Sequence, residues 1–201
     1  MTTGTIAGHD RRQHPQGERR RHELVAAAAA LLTEGGFDAI RHRAVAERAG
    51  LPLASTTYYF DSLDELIEAA VEHAGRAELV AGRERLARLH GGEPVDVIEF
   101  ALDLLVGDAD SQAVMLRYER LVGTSRRPYL RPLMRQLGKE LHQLLLDILT
   151  AGGFRMDDER IDQLISVVDG AVVNALIEVH PDPRQAARRM LLSVMPDLAA
   201  H

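Results

Sequence analysis

The chain has 201 residues, 46% of them hydrophobic and 27% charged, enough for a core in one large or two small domains. No apolar run approaches the roughly 18 residues of a membrane span, the N-terminus MTTGTIAGHDRRQHPQG lacks the apolar stretch of a secretory signal, and zero cysteines exclude disulfides, thiolate zinc sites and cysteine nucleophiles. The net charge of −6 is unevenly spread: residues 1–60 hold eight Arg against six acids (+2), and the rest hold 16 basic and 24 acidic groups (−8), as in a DNA-contacting segment attached to a separate body.

Residues 1–18 are polar, Gly-rich and aperiodic, and are predicted as a flexible arm. Helical spacing begins at Arg19. Leu24, Ala28, Leu31 and Leu32 recur around an alanine run of high helix propensity. Gly35-Gly36 ends that helix, and Phe37 packs back on its last turn. A short helix is expected at about 41–49, with Val45, Ala46 and Ala49 inward and Gly50 as its stop, and another at about 53–60. Ser62 and Glu65 read as a capping box, with Asp64 adding favourable charge, for a helix that carries Leu63, Leu66, Ile67, Ala70 and Val71 and runs to about 89. Gly75 and Gly82 weaken that helix and are read as the mark of a bend.

The body continues as helices. Pro94 suits a first helical turn, ahead of Ile98, Leu102 and Leu105 on one face. A helix at about 110–123 is followed by the linker TSRRPYLRP, and then by a helix with Leu137, Leu141, Leu144, Leu145 and Ile148 that Ala151-Gly152-Gly153 breaks. A helix at about 158–179 is apolar on more than one side. Asp182-Pro183 caps and starts a last helix with Ala187, Met190, Leu191 and Val194. About nine helices and no convincing strand make the fold class all-α.

The informative stretch is RAVAERAGLPLASTTYYFDSLDEL, beginning at Arg43. A helix of about eight residues, a turn led by Gly50 and a second helix make a helix-turn-helix, whose second member enters a major groove roughly 12 Å wide. Thr56, Phe60 and Leu63, at i, i+4 and i+7, form the inward stripe. Ala54, Ser55, Thr57, Tyr58 and Tyr59 are left on the other faces, where hydroxyls donate to phosphates and methyls touch thymine. On the residues alone, an ordinary helical hairpin with partly buried tyrosines stays open.

Here the sequence resembles the N-terminal domain of TetR-type (tetracycline-repressor-like) regulators. Gly36-Phe37, Val45-Ala46, Ala49-Gly50, Tyr59-Phe60, Ser62 and Leu66 fall where that pattern expects them, across residues 19 to about 70. Beyond that, the helix count and Asp169-Gly170 agree. The resemblance implies a dimeric DNA-binding regulator with a small-molecule pocket in its second half. It would put DNA contacts on Arg43, Leu53, Ala54, Ser55, Thr57, Tyr58 and Tyr59. Two positions depart: Thr57 stands where the family commonly has Tyr, and Leu63 where it commonly has Lys. Each removes a usual phosphate contact, and Arg19, Arg20, Arg21, Arg11 and Arg12 are the replacement cations.

After the arm at 1–18, the expected division is a helix-turn-helix domain at 19–62 and, as the resemblance implies, a ligand-binding and dimerisation domain at 63–201. The twofold interface is expected as a four-helix bundle of the last two helices and their mates, through Ile165, Val168, Gly170, Ala171, Val172, Ala175, Ala187, Met190, Leu191 and Val194. Polar residues interrupting the apolar stretches are the candidate pocket lining: His73, Asp103, Arg117, Tyr118, Glu119, His142, Asp169 and Asn174. No HExxH, GxxxxGK[ST] or GxSxG motif occurs, and the histidines have no metal-ligand spacing, so neither catalysis nor a metal or other cofactor is expected. The reading is a cytoplasmic, homodimeric repressor, released from a twofold double-stranded DNA operator by a small molecule, with no membrane partner. The alternatives are a helical ligand-binding protein or enzyme that no longer binds DNA, and a regulator acting as an activator or through a protein partner.

Overall fold

Alanine and leucine at helical spacing build the first helix, α1 (Pro15–Gly35), which buries Leu24, Val25, Ala28 and Leu32. The structure is a computed structural model and describes residues 15–90, 96–107 and 110–199. The helix begins four residues before Arg19. Pro15 takes its first position, where a fixed φ and a missing N–H cost nothing, so residues 15–18 are helical rather than part of an arm. The rest of the predicted arm, with Arg11 and Arg12, lies outside the described residues, as does Pro94.

A single 3-10 turn (Phe37–Ala39) leads to α2 (His42–Ala49), α3 (Leu53–Tyr59) and the long α4 (Leu63–His90). The chain divides between Ala74 and Gly75 into two compact units, later than the predicted boundary at residue 62. Ser62 caps α4 by accepting from the Glu65 amide at 3.1 Å. Glu65 in turn accepts from the Asp61 amide at 2.7 Å, one residue further back than in a standard capping box.

The second unit holds the rest of α4 with α5 (Val97–Leu105), α6 (Ser111–Gly123), α7 (Arg131–Ala151), α8 (Asp158–Ile177) and α9 (Pro183–Ala199). Aspartate is the recurrent start signal. Asp96, Asp110, Asp157 and Asp182 each accept a backbone amide of the helix that follows. The predicted linker 124–132 is two 3-10 turns followed by the first residues of α7. Leu102, Leu105, Val114, Leu145, Leu149, Ile161, Leu164, Val168, Val172 and Leu191 fill the core of this unit. No strand occurs among the described residues, and no helix there is long and apolar enough to cross a membrane.

Gly75 and Gly82 do not interrupt α4, which is one helix through both. They are points of close approach. A Cβ on Gly75 would lie 2.7 Å from Leu137 Cδ1, and one on Gly82 would lie 2.7 Å from Leu144 Cδ2 and 3.0 Å from Leu104 Cδ2. Seven residues apart, they face leucines that are themselves seven apart on α7. The same seam is braced by Glu140 on α7, which accepts from Arg76 and, at 2.9 Å, from Arg83 on α4.

Candidate functional site

The turn of the helix-turn-helix is set by Gly50. It adopts φ 66° and ψ 27°, a left-handed conformation that costs glycine nothing. The Leu51 amide then reaches back to the Ala46 carbonyl at 3.0 Å and closes α2. Arg48 donates to both Glu34 carboxylate oxygens, at 2.8 and 2.5 Å, tying α2 to the end of α1. Thr56 is 0% exposed and donates its hydroxyl to the Leu53 carbonyl at 2.8 Å, while Phe60 is buried beside it. Thr56 and Phe60 are therefore the side chains that seat α3. The Arg21 guanidinium lies 4.9 Å over the Phe60 ring.

The other faces of α3 are open. Leu53 is 52% and Tyr58 42% exposed; Ala54 and Thr57 are also exposed, while Ser55 and Tyr59 are half-buried. Tyr58 and Tyr59 meet edge to face at 4.9 Å. A groove of about 580 Å³ separates this surface from the start of α1. It is lined by Gln16, Gly17 and Arg20 on one side and by Ala54, Ser55, Tyr58 and Tyr59 on the other. Gln16 and Gly17 had no sequence signal, because they fall before the point where periodicity starts. Arg43 projects from α2 and pairs with Glu47 at 2.8 Å, and Arg19 pairs with Glu23 at 3.3 Å. Both pairs are exposed and hold their cations weakly, so either arginine can exchange its carboxylate for a phosphate.

The predicted pocket residues do not line one common cavity, though some of them meet in pairs. His73 belongs to the first unit, where its ring meets His22 edge-on at 5.3 Å. Glu119 is exposed. His142 sits between Asp158 and Asp162, at 3.2 and 3.1 Å, near the start of α8. Asp103 and Arg117 do share a groove of about 350 Å³, lined also by Glu78, Gly82, Arg85 and Phe100. Asp103 pairs there with Arg85 and, at 2.7 Å, with Arg184. Arg117 donates to the Leu104 and Leu105 carbonyls and to Glu78, at 2.7, 3.1 and 3.1 Å. Tyr118 is buried and donates to Asp169 at 2.8 Å. Burial, then the Asp169 charge, pushes the Tyr118 hydroxyl pKa up, and burial raises that of Asp169 in spite of the Tyr118 hydrogen bond and the Arg117 charge. Asn174 is exposed and lines a shallow groove of about 310 Å³ between α8 and α9.

The predicted interface residues divide. Val168, Val172, Ala175, Ala187 and Leu191 are buried within the chain itself and belong to its own core. Ile165, Ala171 and Val194 are half-buried, and Gly170 and Met190 are exposed. The outer face of α8 and α9 also carries Val173, Ile177 and Leu192, which were not named from the sequence. Their signal was present: Gly170, Val173 and Ile177 are spaced three and four apart, offset from the buried row Ile161, Leu164, Val168 and Val172.

Two family descriptions match the chain. Residues 24–70 match "Bacterial regulatory proteins, tetR family", and residues 92–197 match "Tetracyclin repressor-like, C-terminal domain". The HTH-type transcriptional repressor KstR of Mycolicibacterium smegmatis is 33% identical over 87 residues, a stretch spanning 43% of this chain and 41% of that repressor. The multidrug binding protein EbrR in complex with proflavin is 32% identical, with 87% of this chain and 99% of that chain covered and a TM-score of 0.63. EbrR structures with imidazole, ethidium and malachite green match similarly. The TetR family member SCO1917 of Streptomyces coelicolor A3 is 30% identical, covering 88% of this chain and 98% of that one at a TM-score of 0.54. With both halves matched, and with a seated α3 that presents its outer face, the chain belongs to the TetR family of bacterial regulatory proteins.

Proposed function

We propose that this regulator is a homodimeric cytoplasmic repressor that holds a twofold-symmetric operator and releases it when a small molecule binds its body. The observation that carries the reading is the surface of α3: Thr56 and Phe60 anchor it, and Leu53, Ala54, Thr57 and Tyr58 stand clear of the core. The DNA contacts are those residues with Ser55, Tyr59 and Arg43, supported by Arg19, Arg20 and Arg21 at the phosphates. The apolar outer face of α8 and α9 supports a dimer. The likeness to KstR supports repression, and the likeness to EbrR makes aromatic compounds the first effectors to screen. α4 runs from the first unit into the second, so an effector that prefers one position of α4 changes operator affinity. It does so only through its differential affinity for the two states.

The test is binding of the purified protein to DNA flanking its own coding region at roughly 50 and 200 mM salt, beside a Thr57→Ala/Tyr58→Ala variant. Tight, sequence-selective binding that weakens steeply with salt and is lost in the variant is the expected outcome. A second reading has its own support, since Thr57 and Leu63 replace the usual tyrosine and lysine. Binding no tighter than to random DNA, at this or any selected sequence, would favour that reading: a helical ligand-binding protein or enzyme that no longer reads DNA.

A further inference from the structure

We infer that this regulator selects its operator through the 5-methyl groups of thymine rather than through the hydrogen-bonding edges of guanine or cytosine. The inference rests on the proposed DNA-binding function and names the class of sequence that the site takes. The seven residues of α3, Leu53–Tyr59, contain no Arg, Lys, Asn, Gln, Asp or Glu. Those side chains supply the strong pairings of the major groove: Arg or Lys on guanine O6 and N7, Asn or Gln on adenine, and Glu or Asp on cytosine N4. The hydroxyls of α3 are partly spent inside the helix. Thr56 is buried and bonded to the Leu53 carbonyl. Thr57 donates to the Ala54 carbonyl at 3.3 Å, which leaves its oxygen as an acceptor and its methyl as the remaining contact group.

What α3 presents outward is therefore mainly the Leu53 isobutyl group, the Ala54 and Thr57 methyls and the Tyr58 ring with its hydroxyl, while Ser55 and Tyr59 are half-buried at its edge. Leu53 and Thr57 form one i, i+4 row, and Ala54 and Tyr58 form the next. Laid in a groove, such a surface desolvates whatever base edges it covers. Over a G·C pair it would leave guanine O6 and N7 and cytosine N4 without a partner and gain no methyl contact. Over an A·T pair adenine N6 and N7 and thymine O4 lose their partners too, but contact with the thymine methyl offsets part of that cost. The thymine methyl is the one apolar group on the major-groove edges, and apolar contact there is favourable. The cations stand at the margins: Arg43 on α2 beside Glu47, and Arg20 on the α1 side of the groove that Ala54 and Tyr58 line. They serve the phosphates, which carry affinity without sequence information.

The experiment selects an operator with the full-length protein from a random duplex library, then resynthesises the best duplex with each thymidine in turn replaced by deoxyuridine, which lacks the 5-methyl group. A parallel set replaces each guanosine by 7-deazaguanosine, which lacks N7. The expected result is a loss of roughly three- to fivefold per contacted methyl at one or more thymines in each half-site, with no effect of 7-deazaguanosine. Leu53→Ala or Thr57→Ser should weaken binding to the thymidine duplex and cost nothing further on the matching deoxyuridine duplex. A selected operator whose affinity ignores every deoxyuridine and falls with 7-deazaguanosine overturns the inference and leaves the proposed function standing. A selection that enriches no sequence removes the proposed function and this inference together.

Discussion

Val179, just past the end of α8, has φ 55° and is 85% exposed. A β-branched residue in the left-handed region is strained by contact of its Cβ with the backbone, and here no buried contact of its side chain offsets the strain. The conformation is imposed by the helix end, where the His180 amide reaches the Ala175 carbonyl at 2.8 Å. Val179→Asn should raise unfolding stability by about 0.5–1 kcal/mol, since asparagine tolerates this region; an unchanged denaturation midpoint would show that the strain is absent. Asp169 stores a different cost. Burial holds its pKa above the ordinary value, so it favours the fold below its unfolded pKa, and that contribution is lost as pH rises through the folded pKa. Asp169→Asn keeps an oxygen for the Tyr118 hydroxyl and removes the titration. Relative to this variant, the wild-type protein should lose stability as pH rises from about 4, which denaturant melts at several pH values will show. The Asp169 position was legible as a motif in the sequence. Its environment was not, because its hydrogen-bond partner Tyr118 lies 51 residues away.

At the scale of the elements, the caps were partly legible and the seams were not. Ser62 and Asp182 announced α4 and α9, because a cap is a local event read within four residues. Gly75 and Gly82 read as weak helix formers in sequence and as close-approach points in space. A helical glycine lowers propensity whether it bends or packs, and the leucines that decide the matter lie about 60 residues on. The brace over this seam has a measurable acid sensitivity. Hydrogen bonds from Arg83 and then Arg76 lower the Glu140 pKa to about 2. A depressed carboxylate contributes stability above its unfolded pKa and loses it as pH falls through its folded value, a window from about 4.5 down to about 2. Glu140→Gln should be less stable than the wild-type protein near neutrality, and the gap should close as pH falls through that window. A gap that is constant with pH would mean that the ion pairs are fully screened by solvent.

At the scale of the molecule, the two-sided apolar character of α8 was readable, while the assignment of its sides was not. Val168, Val172 and Leu191 look the same in sequence as Val173, Ile177 and Leu192, and only the packing of the other helices of the body against α8 and α9 separates core from surface. Ile177 is 73% and Met190 46% exposed, so charging them leaves the fold intact. Ile177→Glu/Met190→Glu should sediment as a monomer with unchanged helicity and bind operator at least tenfold more weakly than the wild-type protein, on the order of the avidity lost when paired contacts are separated. A variant that remains dimeric would move the interface away from this face. The helix-turn-helix shows the complementary division of labour, with Thr56 and Phe60 inward and Leu53, Ala54, Thr57 and Tyr58 outward. That separation has an evolutionary consequence. After gene duplication, the outward positions of α3 can be exchanged without disturbing the residues that seat it. A daughter regulator can thus acquire a new set of target genes by point substitution while inheriting its parent's folding stability unaltered.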